Sequence, residues 1–448
     1  MNLCVVGLGY VGLVTAAVFA DLGNEVVCVD IAQEKVDALN RGEMPLYEPG
    51  LEPMVRRNRE EGRLTFTTDL AAGVRRAEII FICVGTPPRE DGQPDLSQVE
   101  AVARAIAEAL DGYKIVVNKS TVPVGTGDLI ARTIQEGKRA PVEFDVVSNP
   151  EFLREGRAIQ DTLAPDRIVI GAPTKEVAVK LLELYRSLER PMIITDVPTA
   201  EIVKYASNTF LATKVSFINA IAELCERTGA DVRVVAKAMG ADARIGESFL
   251  EAGLGFGGSC FPKDAEAFAA SARRLGYPFG LLEEVIRVNQ ERVPHLVEKI
   301  KGRLNPLSGR TLAILGLSFK PNTDDLREAK SLELIRLLRA EGASIRAYDP
   351  VAMEKARALM PEVSFCENSY QAAEGADALV VVTEWREFLQ LNLERIRRLL
   401  RQPLIFDGRN IYSPDQMRRL GFEYHSVGRP PVTVQPAAPD ARGGPRGR

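Results

Sequence analysis

The residues Gly7-Leu8-Gly9-Tyr10-Val11-Gly12 limit what this chain can fold into more than any other feature. The apolar run 3–6 precedes them and an apolar stretch without proline follows, so the segment reads as strand, glycine turn and helix. A second β-branched run at 25–29 ends on Asp30 and completes a βαβ unit, the crossover that parallel pairing requires. The start at 3–20 has no basic leader before it and carries ordered glycines, so it is not read as a secretion signal.

The same alternation continues through the runs 79–84, 115–118, 144–148 and 167–170, which predicts a mostly parallel, doubly wound sheet. From Thr199 to about Cys225 the pattern is one long helix, with Glu201, Lys204, Asn208 and Ala212 at helical spacing. Helical stretches run on to about residue 300, broken by the glycine-rich segment 253–263 and a Leu-Asn-Pro-Leu turn at 304–307. The runs 311–315, 344–348, 378–382 and 404–406 then alternate with helices again. The expected fold is α/β: two Rossmann-like doubly wound parallel sheets joined by a long central helix and helical domain. Its expected parts are 1–196, 197–305 and 306–428, and 429–448, rich in proline, glycine and arginine, is expected to be a disordered tail.

Composition narrows the partners. A net charge of -4 argues against a basic nucleic-acid surface, and no apolar run is long enough to span a membrane, so small molecules are expected. Six scattered cysteines without a CxxC pair fit neither a disulfide framework nor zinc ligation, which predicts a cytoplasmic protein with no metal.

Glycines at 7, 9 and 12 let a pyrophosphate approach a helix N-terminus, and Asp30 can accept from both adenosine ribose hydroxyls, which favours NAD although Lys35 stands near. The loops Val84-Gly85-Thr86-Pro87 and Ser120-Thr121-Val122-Pro123 follow strands and should flank the cofactor. In the segment 255–264, GFGGSCFPKD, glycines leave the Cys260 thiol uncrowded; Lys263 is expected to favour its thiolate and Asp264 to serve as a base. The other five cysteines read as small core residues. Lys204 and Asn208, one turn apart, suit an oxyanion, and Glu151 and Glu155 bring carboxylates to a strand end.

Seven segments in order, GLGYVG (7–12), STVPVGT (120–126), NPEFLREG (149–156), KYASNTFLATKVSFIN (204–219), GFGGSCFPKD (255–264), LSFKPNTDDLRE (317–328) and FDGRN (406–410), together resemble the UDP-glucose/GDP-mannose dehydrogenase family. The resemblance covers nearly the whole chain and is strongest to the branch acting on UDP-glucose. It implies four-electron oxidation of UDP-glucose to UDP-glucuronate, a step toward polysaccharide biosynthesis, with two NAD and no free aldehyde. Cys260 would form a thiohemiacetal and then a thioester. Lys204 and Asn208 would hold oxyanions, Asp264 would partner base chemistry, Glu151 thioester hydrolysis, and Thr121 a water. NAD contacts implied are Gly7, Gly9, Tyr10, Val11, Gly12, Asp30, Lys35, Thr86, Thr121, Glu155, Lys263 and Arg327. Substrate contacts implied are Glu151, Phe152, Leu153, Glu155, Lys204, Asn208, Phe249, Leu250, Gly257, Cys260, Phe319, Lys320 and Arg409. Arg244 would reach a neighbouring subunit, implying a homodimer through the central helix. The second sheet keeps Gly316 but has Leu317, Ser318 and Phe319 where further glycines would serve a dinucleotide. Alternatives are a related sugar nucleotide (GDP-mannose or UDP-N-acetylmannosamine), a one-step β-hydroxyacid-type dehydrogenase, and an inactive nucleotide-sugar sensor.

Overall fold

The computed structural model describes residues 1–433, which hold two sheets. The first is built from β1 (Asn2–Val6), β2 (Glu25–Val29), β3 (Leu64–Thr67), β4 (Ile79–Ile82), β5 (Lys114–Asn118), β6 (Phe144–Ser148), β7 (Ile168–Gly171) and β8 (Met192–Thr195), in the order β3-β2-β1-β4-β5-β6-β7-β8. All neighbours are parallel except β6 and β7, which meet antiparallel at Ser148 and Gly171. The second comprises β9 (Thr311–Leu315), β10 (Ser344–Tyr348), β11 (Ser364–Phe365), β12 (Ala378–Val381), β13 (Leu404–Asp407) and β14 (Glu423–Ser426), ordered β11-β10-β9-β12-β13-β14 and parallel throughout. Both repeat the 3-2-1-4-5-6 order of a doubly wound dinucleotide fold.

Both faces of each sheet are covered, and the strands show it residue by residue. Leu3 and Val5 of β1 pack with Phe19 and Phe81, while Cys4 and Val6 pack with Ile80, Ile82 and Val99 on the opposite face. In β9, Leu312 and Ile314 join one cluster, Ala313 and Leu315 another. A strand buried on both faces reads as an unbroken apolar run, which is why β1, β4, β9 and β12 are plain in the sequence. The strands not anticipated are β3, β8, β11 and β14. They are short and lie on or near a sheet edge, and in β14 glutamate, histidine and serine break the apolar run.

The long helix runs Val197–Thr228, beyond both expected ends; Pro198 is tolerated because it falls in the first turn, where no intrahelical N–H is needed. Contacts gather the chain into two compact units. One holds Met1–Thr213, Ser259–Ile286 and Asn322–Asp324, and the other holds Lys214–Gly258, Arg287–Pro321 and the described residues from Asp325 on. The expected tail begins at Arg429, yet Arg429 is buried, donating to the Tyr412 carbonyl, and Val432 bridges to Tyr424. The remainder of that expected tail, 434–448, lies outside the described residues. Among the described residues no helix is long and apolar enough to cross a membrane.

Candidate active site

The first unit carries the glycine turn. Gly7 has φ +95°, and a Cβ there would stand 2.9 Å from the Cys83 backbone; a Cβ on Gly12 would stand 1.8 Å from the Gly7 carbonyl. Neither position admits a side chain. A Cβ on Gly9, by contrast, meets nothing within 4 Å, and Gly9 starts the helix Tyr10–Asp21 without any side-chain cap. The N–H groups of that helix end are thus left for an anion, the need of a dinucleotide pyrophosphate. Asp30 lies just past β2 with one oxygen accepting from Leu8 N (2.8 Å) and Lys35 Nζ (2.8 Å), and the other from Ala32 N (3.0 Å). Burial pushes its carboxyl up, but the Lys35 ammonium and the two N–H groups outweigh that and hold it below the usual carboxylate range. It is therefore an ionised acceptor, and Lys35 is its ion-pair partner.

The two loops at the strand ends are tied together, Thr86 Oγ1 donating to the Thr121 carbonyl at 2.9 Å and Ser120 Oγ to the Val84 carbonyl at 2.7 Å. Tyr10 Oη accepts from Gly156 N at 2.8 Å, and Glu155 accepts from Ser259 Oγ (3.1 Å) and Thr323 Oγ1 (3.3 Å).

The long helix brings the polar cluster together. Lys204 and Asn208 are both buried, facing two carboxylates equally withdrawn from water: Lys204 Nζ lies 2.8 Å from Glu151 Oε1, and Asn208 Nδ2 donates to Asp264 Oδ2 at 2.6 Å. The second oxygen of Glu151 accepts from Leu153 N at 2.8 Å. Burial alone would pull the Lys204 ammonium down, but Glu151, Cys260 and Asp264 raise it, so it stays a cation. Phe152 lies under the Arg167 guanidinium, 3.7 Å from ring centroid to Cζ, and 5.5 Å from Lys204 Nζ. Cys260 is the N-cap of the helix Phe261–Arg274, which carries Pro262 in its first turn, and this helix packs on the long one through stacked Tyr205 and Phe268 rings 5.4 Å apart.

Cys260 alone among the six free cysteines is not fully buried. Burial and the nearby carboxylate of Glu151 push its thiol up to about 11, opposed by Lys204 and a contact with Ser259 Oγ at 3.6 Å. This corrects the expectation for Lys263. Its ammonium is 2.8 Å from Asp264 Oδ1, and the lysine whose charge favours the Cys260 thiolate is Lys204, far away in sequence. Cys4 and Cys83 are pushed up to about 12 by burial and Cys28 goes well above its ordinary value, as core thiols do.

Two residues of this unit escaped the sequence reading. Glu201, there only a step in a helical repeat, accepts from Gly125 N (2.7 Å) and Gly127 N (2.8 Å), and so fastens the loop after Thr121 to the helix of Lys204. Burial pushes its carboxyl up to about 7 against those two N–H groups. Lys119, beside β5, is buried as well. A glutamate one turn before Lys204 was the available signal for the first; nothing local signals the second.

The second unit holds the other expected residues. Asn219 and Asn289 clamp the glycine loop, accepting from Gly253 N and Phe256 N, each at 2.8 Å. A Cβ on Gly257 would stand 2.2 Å from the Glu328 carbonyl and one on Gly258 2.6 Å from the Phe319 ring. Arg409 donates to the Val382 carbonyl at 2.7 Å, the Gly255 carbonyl at 3.3 Å and the Phe319 carbonyl at 3.4 Å, so Gly257, Phe319 and Arg409 are neighbours. Lys320 Nζ stands 5.2 Å from the Phe319 ring, Leu250 is buried in an apolar cluster, and Phe249 adopts φ +66°. Arg327 pairs with Asp325 (2.6 Å); Arg244 pairs with Asp242 (2.6 Å), its side chain 89% exposed. Asp349 is the counterpart of Asp30, but its Oδ2 accepts from Leu317 N (2.7 Å), Ser318 N (3.1 Å) and the Trp385 indole (3.1 Å). A ribose would find that acceptor already used.

A dinucleotide turn backed by an ionised acid, in the same unit as a thiol, a buried ammonium and two buried carboxylates, defines the class: NAD-dependent dehydrogenases. Family models agree along the chain: the NAD binding, central and UDP binding domains of the UDP-glucose/GDP-mannose dehydrogenase family match residues 1–189, 198–291 and 313–414. The chain belongs to that family. It is 48% identical to the UDP-glucose 6-dehydrogenase TuaD of Bacillus subtilis, over 96% of this chain and 94% of that one. A UDP-glucose dehydrogenase structure from the archaeon Pyrobaculum islandicum aligns with TM-score 0.90 and 42% identity, covering 96% and 98% of the two chains. The UDP-D-ManNAc dehydrogenase of Pyrococcus horikoshii aligns with TM-score 0.84 at 30% identity, covering 96% and 99%.

Proposed function

We propose that the protein oxidises UDP-glucose to UDP-glucuronate in the cytoplasm, with Cys260 holding the sugar between two oxidations. The observation that carries this reading is a thiol at a helix N-cap, acted on by the buried Lys204 charge, with the Glu151 and Asp264 carboxylates in the same cluster. Gly7, Gly9 and Gly12 would hold NAD+, which would supply the hydride acceptor for both oxidations of the reacting carbon. Asp264, directly or through water, takes the hydroxyl proton. The Cys260 sulfur then bonds to the aldehyde carbon, and the oxygen that gains charge is held by the Lys204 ammonium and the Asn208 amide. After the second oxidation the carbon is a thioester. A water ordered by Thr121 attacks it, Glu151 takes the proton, the carbon–sulfur bond breaks and the thiol returns. The balance is one alcohol, two NAD+ and one water to one carboxylate, two NADH and three protons.

UDP-glucose is favoured over the alternatives because the relatives at 48% and 42% identity carry that substrate in their names, against 30% for the UDP-D-ManNAc enzyme. In the first unit, Phe152 and Leu153 are proposed for the sugar nucleotide and the turn with Tyr10, Val11, Asp30, Lys35, Thr86, Glu155 and Lys263 for NAD; in the second, Phe249, Leu250, Gly257, Phe319, Lys320 and Arg409 are proposed for the sugar nucleotide and Arg327 for NAD. NADH counted per sugar tests the reading. Two per UDP-glucose is the expected result; one would make it a simple alcohol dehydrogenase, and turnover only with another sugar nucleotide would move the substrate.

The protein is further proposed to be a homodimer through the long helix. Phe210, Phe217 and Leu224 stand seven residues apart on it and are 65%, 50% and 58% exposed, an apolar stripe suited to a second copy, and Arg244 projects into solvent as a residue reaching a partner would. Phe217→Asp should elute as a monomer in light-scattering chromatography where the parent elutes as a dimer. A monomeric parent would end the idea.

A further inference from the structure

Lys119 is a buried cation of the first unit with no part in the chemistry above. It follows β5 and is 7% exposed, its ammonium 3.1 Å from Asn149 Oδ1, 3.5 Å from the Asn149 carbonyl and 3.4 Å from Tyr185 Oη. All three acceptors are uncharged. The charges acting on it from other elements are Cys83 and Glu151, which favour its protonation, and Lys204, which opposes it. Burying an ammonium without a contacting carboxylate is costly. Burial pulls it down to about 8, which leaves it mostly charged at neutral pH.

Asn149 passes that grip on. Its N–H donates to the Asn118 carbonyl (2.9 Å), its amide to the Val169 carbonyl (2.8 Å), and the Tyr185 hydroxyl donates to its Oδ1. Two residues later stands Glu151, with one oxygen on Lys204 and the other on Leu153 N. In the proposed reaction Lys204 has two claims on it, the ion pair with Glu151 and the oxyanion at the reacting carbon. When it serves the second, Glu151 loses its contacting cation just as it must act as a base.

We propose that Lys119 is a positioning residue for Glu151: it anchors the Asn149-Pro150-Glu151 turn and supplies a second buried positive charge that keeps Glu151 in place while Lys204 serves the reacting carbon. The inference rests on the reading of Glu151 as the hydrolytic carboxylate. Lys119→Met should slow hydrolysis selectively. Rapid mixing with UDP-glucose and NAD+ should show a burst near two NADH per site, then a steady rate at least about ten-fold below the parent, with both KM values within about two-fold. Intact-mass spectrometry should show the UDP-sugar thioester accumulating on the protein.

Glu151→Gln is the reference and should accumulate the same adduct, whereas Tyr185→Phe, which keeps the ammonium, should not. If Glu151→Gln accumulates adduct and Lys119→Met loses burst and steady rate alike without adduct, the role for Lys119 is wrong and the proposed reaction stands. If Glu151→Gln itself hydrolyses normally, the reading of Glu151 fails and the inference with it. Should Lys119→Met not fold, Asn149→Asp sets a carboxylate against the ammonium and must give the adduct; its absence overturns the inference.

Discussion

Replacing Cys260 by alanine should end the proposed carboxylate formation, with the steady rate of NADH production from UDP-glucose lowered by about 10³ or more. The effect is large because the other five cysteines are core residues, and the Ser259 hydroxyl, 3.6 Å from the sulfur, donates to Glu155. Folding should barely register the change. Cys260 is not fully buried as a residue and makes no cap hydrogen bond at its helix N-cap, so the loss should be about 1 kcal/mol or less. With the thiol held up at about 11, the thiolate fraction of the free protein grows roughly tenfold per pH unit below that value, so covalent capture should speed up as pH rises from 7 to 9. Anion-exchange separation of the UDP-sugars reads the outcome. A Cys260→Ala protein that still makes NADH at the parental rate would be a one-step dehydrogenase.

Those properties of Cys260 were only partly visible in the chain. The segment GFGGSCFPKD announces a thiol in an open loop because glycine has a local meaning, and GLGYVG with Asp30 announces its site for the same reason. The charge that acts on the thiol could not be read locally. Lys263 is three residues away and the natural choice, yet its ammonium is taken by Asp264, and the acting cation arrives from Lys204, 56 residues earlier. Lys119 is a harder case. A lysine at a strand end usually reaches water, and only the fold supplies Asn149, 30 residues on, and Tyr185, 66 residues on, to hold it inside. The sheets divide likewise. Strands covered on both faces advertise themselves, whereas β14 is defined by a register with β13 that its own residues do not encode. The missing glycines at Leu317, Ser318 and Phe319 marked a turn unlike that of the first sheet, but not what occupies the acid beside it, an indole donating to Asp349.

Lys204→Met should cost both activity and stability, and the two losses can be separated. In the proposed reaction the ammonium neutralises the oxyanion, and a single preorganised donor in a dry site is worth about 10² to 10³ in rate; a buried cation should sit at or above the upper end. Its removal also leaves Glu151 buried without its contacting counter-charge, the kind of broken pair that costs about 3 to 5 kcal/mol. Glu151→Gln alone leaves the opposite orphan, an ammonium facing an amide. The double variant Lys204→Met/Glu151→Gln removes both charges, so its urea midpoint should lie well above the sum of the two single losses, with a coupling of about 2 kcal/mol or more. Its activity should stay as low as that of the worse single variant, since neither oxyanion nor water would then have its partner. Additive stabilities would mean that the 2.8 Å contact holds nothing together, and activity recovered in the double variant would place the oxyanion's cation elsewhere.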